Sequence, residues 1–165
     1  MCGIGGIILN NERVEPNALV RMCDAMAHRG PDGRGVYAQK NLGLAHTRLS
    51  IIDLEGAKQP MHSSCGQYII TYNGELYNYK ALRQELEGMG VNFSLNSDTE
   101  VVLYAYKVWG EACLKKFRGM FSFAIVDHKK QFLFCARDHF GIKPFVYVKN
   151  SRGFFFGSEL SLFTQ

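Results

Sequence analysis

Cys2 is the residue whose type and position point most directly to chemistry. We expect the initiator Met1 to be removed, which would leave Cys2 with a free α-amine a few bonds from its thiol. Such an amine titrates at about 7.7–8.0 and a thiol at about 8.5, so the amine is a matched base near neutral pH. A terminal thiol of this kind predicts a nucleophile for acyl transfer. The alternative is a small residue near a mobile chain end, and Cys2 alone does not decide between the two.

Other polar residues allow both a chemical and a structural interpretation. Asn73 and Gly74 could form a plain turn between a strand and the next helix. Asp98 or Ser97 could cap a helix, and Arg48 could be an ordinary surface arginine at a strand end. Five histidines could serve a Cys–His hydrolase, but none is near Cys2 in sequence: His28, His46, His62, His128 and His139. We expect His28 and His46 to be structural.

The cysteines are five, an odd number at wide spacing without a C-x-x-C pair. This pattern argues against a disulfide framework or a structural zinc site, and it indicates a reducing compartment. We expect the cysteines other than Cys2 to be small core residues: Cys23, Cys65, Cys113 and Cys135. The glycines at positions 3, 5 and 6 predict a tight strand start and a close approach of substrate to the backbone.

Length and composition predict one soluble, cytoplasmic domain. The chain has 165 residues, of which 47% are apolar and 21% charged, too apolar for a disordered chain. The formal charge of +4 comes from scattered basic residues, so nucleic-acid binding has no positive support. No apolar run approaches the roughly 18 residues of a membrane span, and the first residues do not resemble a secretory signal.

The elements that must position these residues alternate along the chain. Apolar periodicity predicts helices over 14–27 and 78–89, and Ser97 to Glu100 has the form of a capping box that opens a third, largely buried helix. Strands are predicted over 3–9, 35–38, 42–49, 68–73, 120–126, 131–136, 145–148 and 154–156. Residues 120–126 and 131–136 are apolar on both faces, which predicts strands covered above and below, and a hairpin-length turn joins them. We therefore expect two stacked sheets with helices on the outer faces.

Eight segments resemble the glutaminase domain of class II (N-terminal nucleophile) glutamine amidotransferases, most closely the asparagine synthetase branch. They are MCGIGG, HRGPDG, HTRLSIIDL, TYNGELYNY, SDTEVVLYAY, GMFSFAIVD, ARDHFGIKP and FGSEL, in the expected order over residues 1–160. The resemblance implies an α+β fold, the four-layer αββα sandwich of N-terminal nucleophile hydrolases, with two mainly antiparallel sheets and helices outside.

The resemblance also implies roles for individual residues. Arg48 would grip the α-carboxylate of glutamine and Asp98 its ammonium, as a guanidinium and a carboxylate can. Asn73 and Gly74 would form the oxyanion hole beside Cys2. The remaining substrate contacts would come from Glu75 and from the backbone of Leu49 and Ile51. Residues 29–32 are expected to form a loop near the pocket mouth, with either a gating or a structural role. Arg137 and Asp138 are expected to form a buried or half-buried ion pair.

The implied reaction is hydrolysis of the glutamine side-chain amide through a thioester on Cys2, without a cofactor. Asparagine synthetases add a second domain that binds ATP through a Ser-Gly-Gly-containing loop, and no such loop occurs here. ATP and Mg would belong to that domain. We expect a single glutaminase domain over 1–165, either part of a longer enzyme or a stand-alone ammonia donor to a separate synthetase subunit. A homodimer is compatible with the sequence. A non-catalytic relic that keeps the fold and docks a synthetase is the alternative from another class.

Overall fold

Nine strands and three helices follow one another in the part of the chain that the structure describes. The computed structural model describes residues 1–49 and 58–163. The strands are β1 (Gly3–Leu9), β2 (Gly33–Gln39), β3 (Leu42–Arg48), β4 (Met61–His62), β5 (Tyr68–Leu76), β6 (Gly119–Asp127), β7 (Phe132–Arg137), β8 (Val146–Asn150) and β9 (Gly153–Gly157). The helices are α1 (Pro16–Ala25), α2 (Tyr79–Gly88) and α3 (Asp98–Trp109), and short 3₁₀ turns cover Ala27–Arg29, Gly110–Lys116 and Leu160–Phe163.

The strands form two antiparallel sheets. The first sheet has the order β2-β3-β1-β9-β8, and the second has the order β4-β5-β6-β7. β1 therefore lies in the middle of the first sheet, paired with β3 on one side and β9 on the other. β5 and β6 are the central pair of the second sheet, in register from Tyr68 opposite Asp127 to Leu76 opposite Gly119.

Among residues 1–49 and 58–163, three separate groups of buried apolar side chains hold the layers together. The first packs α1 on the outer face of the first sheet and includes Ile7, Leu19 and Met22. The second packs α2 and α3 on the outer face of the second sheet, and the third, which contains Ile4 and Ile69, lies between the sheets. The expected four-layer sandwich is thus confirmed. No helix among the described residues is long and apolar enough to cross a membrane.

Local sequence accounts for the helix starts. Pro16 occupies the first turn of α1, where its missing N–H is not needed. Ser97 is the N-cap of α3, and its hydroxyl accepts a bond of 3.3 Å from the Glu100 N–H. The Glu100 carboxylate turns outward to the N–H groups of Ser94 and Leu95 instead of back to Ser97, so only half of the predicted capping box forms. α3 is buried over its first nine residues, as predicted.

Two strands differ from the predicted pattern. β5 continues through Asn73 and Gly74 to Leu76, so the interpretation of this pair as a plain turn is wrong. The long register with β6 extends the strand past the expected break. β7 is an edge strand with an exposed Phe132, so the prediction that it is covered on both faces is wrong.

The glycines of β1 allow close packing of the strand. A Cβ at Gly3 would lie 2.6 Å from Thr47 Oγ1, and one at Gly5 would lie 2.7 Å from Met22 Cε. Such distances are too short for any larger side chain. These two glycines therefore let α1 and β3 pack closely against β1, whereas a close approach of substrate to this backbone stays a prediction.

His46 is buried between the two sheets and links the first sheet to Thr71 of the second. Its Nδ1 lies 3.2 Å from Thr71 Oγ1, and Thr71 donates to the carbonyl of Ala45. The Thr71 hydroxyl thus accepts from Nδ1–H, and Nε2 is buried without a partner among the described residues. Burial, assisted by the charge of Arg48, lowers the pKa of His46 to about 3.

We expect this histidine to make folding sensitive to acid. The unfolded chain binds a proton at His46 near pH 6.5 and the folded chain does so only near pH 3, so its contribution to stability falls as pH drops below about 6.5. His46→Gln should reduce the loss of unfolding free energy between pH 7 and pH 4 by roughly 3 kcal/mol. Urea denaturation at both pH values measures this difference. The exposed His139→Gln is the matched control, and an equal acid loss in both variants would contradict the prediction.

Candidate active site

The predicted site residues lie around one pocket, which is lined from both sheets by residues at or near the ends of their inner strands. This Cys2 pocket has a volume of about 100 Å³ and is lined by Met1, Cys2, Arg48, Leu49, Gln59, Tyr72, Asn73, Gly74, Glu75, Ser97, Asp98, Thr99, Met120 and Lys143. All predicted site residues within the described ranges are among them, and Ile51 lies outside those ranges. A larger cavity of about 460 Å³ lies beside α1 on the first sheet, but none of the predicted residues lines it. The volume of a cavity alone therefore does not identify the active site.

Cys2 is held directly before the first residue of β1. The Leu49 N–H donates to its Sγ at 3.4 Å, and the thiol lies 3.6 Å from the Leu49 carbonyl oxygen. Its own carbonyl accepts a bond of 3.1 Å from Arg29 Nε. The residue is half-buried, so it is neither a frayed end nor a closed core position.

An ion pair between Arg29 and Glu159 holds the arginine that bonds the Cys2 carbonyl. Arg29 bonds Glu159 Oε1 at 2.8 Å, and His28 bonds the same oxygen at 2.9 Å. Burial raises the pKa of Glu159, but the bonds from Arg29 and His28 outweigh it and hold that pKa below its usual value. The HRGPDG and FGSEL segments thus meet to fix the backbone of Cys2. Arg29 lies outside the pocket lining, which favours a structural role over gating.

Asn73 brings an unsatisfied donor into the pocket. Its side chain is 2% exposed, and its Nδ2 is buried with no hydrogen-bond partner among the described residues. Five side-chain atoms in the described part of the chain share this state, but of these residues only Asn73 lines the pocket. Leaving a buried donor unpaired costs about 1–3 kcal/mol, so this amide nitrogen favours a ligand with an acceptor atom.

Gly74 follows on the same strand, opposite Phe121 of β6. A Cβ at this position would lie 2.6 Å from the Met120 carbonyl oxygen and 2.8 Å from Phe121 Cα. Only glycine therefore allows β5 and β6 to pair this closely. Its backbone remains half-exposed at the pocket, which leaves room for a ligand atom.

Asp98 begins α3 but does not cap it, because Ser97 does so. Asp98 Oδ2 accepts bonds from the Tyr72 hydroxyl at 2.9 Å and the Leu76 N–H at 3.0 Å. Burial raises the pKa of Asp98 in spite of these bonds. Burial and the neighbouring carboxylate together raise the pKa of Tyr72 well above its usual value, which keeps the phenol a donor. The carboxylate is thus positioned at the pocket wall.

Arg48 and Glu75 supply further charges from the two sheets. Arg48 is the half-buried last residue of β3, and Glu75 is an exposed residue of β5 opposite Met120. The pocket therefore carries cationic and anionic groups from different walls. That distribution suits a zwitterionic ligand.

Sequence reasoning missed Tyr72, Gln59 and Lys143. Strand alternation puts Ile69, Thr71 and Asn73 toward the first sheet, so Tyr72 must face α3, where Asp98 begins. This alternation of the strand was the sequence signal that could have identified Tyr72 as a neighbour of Asp98. Gln59 bonds both the N–H and the carbonyl of Tyr72, and no local pattern marks it.

The expected Arg137–Asp138 ion pair is wrong. Asp138 accepts instead from four backbone N–H groups, those of Phe121, Phe140, Ile142 and Lys143, while Arg137 donates to the carbonyls of Gly141 and Lys143. Burial raises the pKa of Asp138, but these bonds outweigh it and lower the pKa below the usual value. The carboxylate is satisfied by the loop backbone, so it needs no cationic partner.

The histidines lie away from the pocket. His28 bonds Glu159, His46 is buried between the sheets, and no histidine is among the residues that line the pocket. Both His28 and His46 are in structural positions, as expected. The geometry thus gives no support to a Cys–His hydrolase.

Cysteine reactivity tests the placement of Cys2. We expect iodoacetamide to label Cys2, at the pocket, and Cys65, which is exposed and whose pKa is lowered chiefly by a bond from Ser63. The exposure of Cys65 also shows that its prediction as a core residue was wrong. Cys23 and Cys113 are buried, and burial raises their pKa, for Cys113 to about 12, so both should stay unlabelled. Peptide mass spectrometry gives the sites, with urea-unfolded protein as control. Labelling of Cys113 as fast as Cys65, or an unreactive Cys2, would contradict this geometry.

Comparison with known proteins agrees with the geometry. Residues 1–165 match the family described as glutamine amidotransferase domain. Asparagine synthetase 3 (glutamine-hydrolysing) of Bacillus subtilis is 43% identical over 164 residues, 97% of this chain and 27% of that protein. Asparagine synthetase B (glutamine-hydrolysing) of Escherichia coli is 40% identical over 146 residues, 87% of this chain and 26% of that protein.

A solved structure shares the fold. Glutamine phosphoribosylpyrophosphate amidotransferase from B. subtilis superposes with a TM-score of 0.79 at 22% identity, over 99% of this chain and 43% of that one. The present chain spans only about a quarter of the length of the two synthetases. The full-length family match, together with these relatives, shows that the chain belongs to the glutamine amidotransferase domain family.

Proposed function

We propose that this domain hydrolyses the side-chain amide of glutamine to glutamate and ammonia through a thioester on Cys2. The observation that carries the proposal is the meeting of the Cys2 thiol with the unpartnered amide nitrogen of Asn73 in one pocket. Family membership supports it, as do relatives named as glutamine-hydrolysing enzymes. A non-catalytic relic would have no need for this arrangement.

The charged walls of the pocket would bind the amino-acid end of glutamine. Arg48 would pair with the α-carboxylate, which a guanidinium can bond through two parallel N–H groups. Asp98, fixed by Tyr72 and Leu76, would accept the substrate ammonium. The backbone of Leu49 and Ile51 and the Glu75 carboxylate would complete the contacts.

The reaction then begins at the thiol. With Met1 removed, the α-amine of Cys2 takes the thiol proton, directly or through a water, and Sγ attacks the amide carbon. The carbonyl oxygen becomes negatively charged and accepts bonds from Asn73 Nδ2 and the Gly74 N–H. The protonated amine returns a proton to the departing nitrogen, so ammonia leaves and a glutamyl thioester remains. Water then attacks the thioester and releases glutamate and the free thiol.

The ammonia would pass to an acceptor of the asparagine synthetase type, either a domain on the same chain or a separate subunit. The longer relatives, which are asparagine synthetases, motivate this part of the proposal. The glutaminase step itself uses no cofactor in this scheme, because thiol, amine and amide groups suffice. ATP and Mg would serve the acceptor, and we place the activity in the cytoplasm.

Replacement of the nucleophile gives the first test. Cys2→Ala should abolish glutamate release from glutamine because no other group in the scheme can form the thioester. The assay uses protein whose intact mass shows loss of Met1. Cys65→Ala, at an exposed thiol away from the pocket, is the matched control and should keep full activity. Wild-type turnover in Cys2→Ala would refute the mechanism, and inactive, folded, processed wild-type protein would indicate a non-catalytic module.

The oxyanion donor gives the second test. Asn73→Ala should lower kcat by about 10²–10³ and leave KM for glutamine nearly unchanged, since the bond forms fully only in the transition state. Steady-state kinetics of glutamate release measure both constants. Asn150→Ala, at the last residue of β8 and outside the Cys2 pocket, is the control and should have wild-type kinetics. An Asn73→Ala variant with an unchanged kcat would exclude this side chain from the oxyanion hole.

A further inference from the structure

Lys143 is a cation in the Cys2 pocket that the proposed mechanism does not use. The residue is 6% exposed and lines the pocket with Cys2 and Met120. Across residues 1–49 and 58–163, no hydrogen bond or ion pair engages its Nζ. Nζ is not among the buried atoms without a partner, so the protein does not fully enclose it. An ammonium at a pocket wall without a counterion favours a ligand with an anionic group.

The backbone of Lys143 is held rigidly against the second sheet. Its N–H donates to Asp138 Oδ2 at 3.0 Å, and its carbonyl accepts a bond of 2.7 Å from Arg137 Nε. The same Asp138 oxygen accepts from the N–H of Phe121 at 3.2 Å. One carboxylate therefore ties the start of this side chain to β6.

That link places Lys143 near the reacting end of the ligand. Phe121 is the register partner of Gly74, and Asn73 precedes Gly74 on β5. Arg48, by contrast, enters from β3 of the first sheet. The two cations of the pocket thus come from different walls, and Lys143 comes from the wall that carries the oxyanion donors.

We propose that Lys143 binds the negative charge at the side-chain end of the ligand. This inference rests on the proposed glutaminase activity. Glutamine carries one carboxylate, which Arg48 would bind, and its side chain is neutral. A negative charge arises at the side-chain end in two species, the tetrahedral oxyanion and the γ-carboxylate of the product glutamate. Lys143 therefore distinguishes these species from the substrate and gives the pocket a preference for glutamate over glutamine.

Ligand binding without turnover tests this preference. Isothermal titration of the Cys2→Ala chain with glutamate and with glutamine gives both affinities, and Lys143→Met is then added to remove the charge. We expect the affinity for glutamate to fall about tenfold or more, and that for glutamine by less than about threefold. The exposed Lys149→Met is the matched control and should change neither affinity.

Each other result has a distinct meaning. Equal losses for the two ligands, or an unchanged affinity for glutamate, would overturn the role of Lys143. If neither ligand bound the Cys2→Ala parent, the proposed function itself would fail, and this inference with it.

Kinetics with Cys2 intact provide a second readout. Lys143→Met should lower kcat about tenfold with KM for glutamine within about threefold, because the charge acts on the oxyanion and not on the bound substrate. Lys143→Arg keeps the charge and should restore most of kcat. Thermal melting shows whether each variant is folded, and the arginine variant separates loss of charge from loss of packing. A folded Lys143→Arg as slow as Lys143→Met would contradict the proposal.

Discussion

The backbone ladder of β1 is the interaction on which the site depends. A nucleophile beside a chain terminus is ordinarily mobile, since end residues have few contacts. Here Gly3 pairs with Thr47 of β3, and Gly5 pairs on its other side with Gly157 of β9, so the strand is fixed from both sides within three residues of Cys2. The Arg29 bond to the Cys2 carbonyl extends this order by one more residue. Because the central strand carries the thiol, any loss of pairing in the first sheet would displace it.

The second sheet must then be held at a constant distance from the first. The side chains between the sheets do this with apolar contacts and with polar links, among them the bond that Thr71 donates to the Ala45 carbonyl. Thr71 and Asn73 lie on the same face of β5, two residues apart. The Thr71 bond between the sheets thus lies next to the proposed oxyanion donor. The layer of side chains between the two sheets therefore stabilises the fold and also positions Asn73 at the pocket.

The sequence predicted most of the fold because the apolar periodicity of the buried elements is strong. α3 and β6 are covered on both sides, and their nearly continuous apolar runs mark them clearly. Prediction failed where long-range pairing overrides a local signal. The Asn73–Gly74 pair has the sequence of a turn, but the register with β6 keeps it extended. Arg137 and Asp138 have opposite charges, but a loop that folds back on Asp138 satisfies the carboxylate first.

The site could be predicted only in part, for the same reason. Cys2 is informative because its position in the chain has a chemical consequence. Arg48, Asn73 and Asp98 gained their proposed roles from the family resemblance, and the structure brings all three to the pocket. Tyr72 acts through Asp98, which lies 26 residues further along the chain, so no short window of sequence contains both. Lys143 lies only five residues from Asp138, but its place beside Gly74 depends on the pairing of β6 with β5.

The polar groups of the pocket are better explained by ligand binding than by folding. Asn73 Nδ2 is buried without a partner, and burial raises the pKa of Asp98. Both features lower the stability of the empty domain, because a buried polar group that lost its water needs another partner. Four other buried side-chain atoms in the described part of the chain also lack a partner, but of the five only Asn73 Nδ2 belongs to a residue that lines the Cys2 pocket. There it lies with the Asp98 carboxylate and the Lys143 ammonium around one thiol. A donor, an anion and a cation in one pocket match the charges of a zwitterionic ligand.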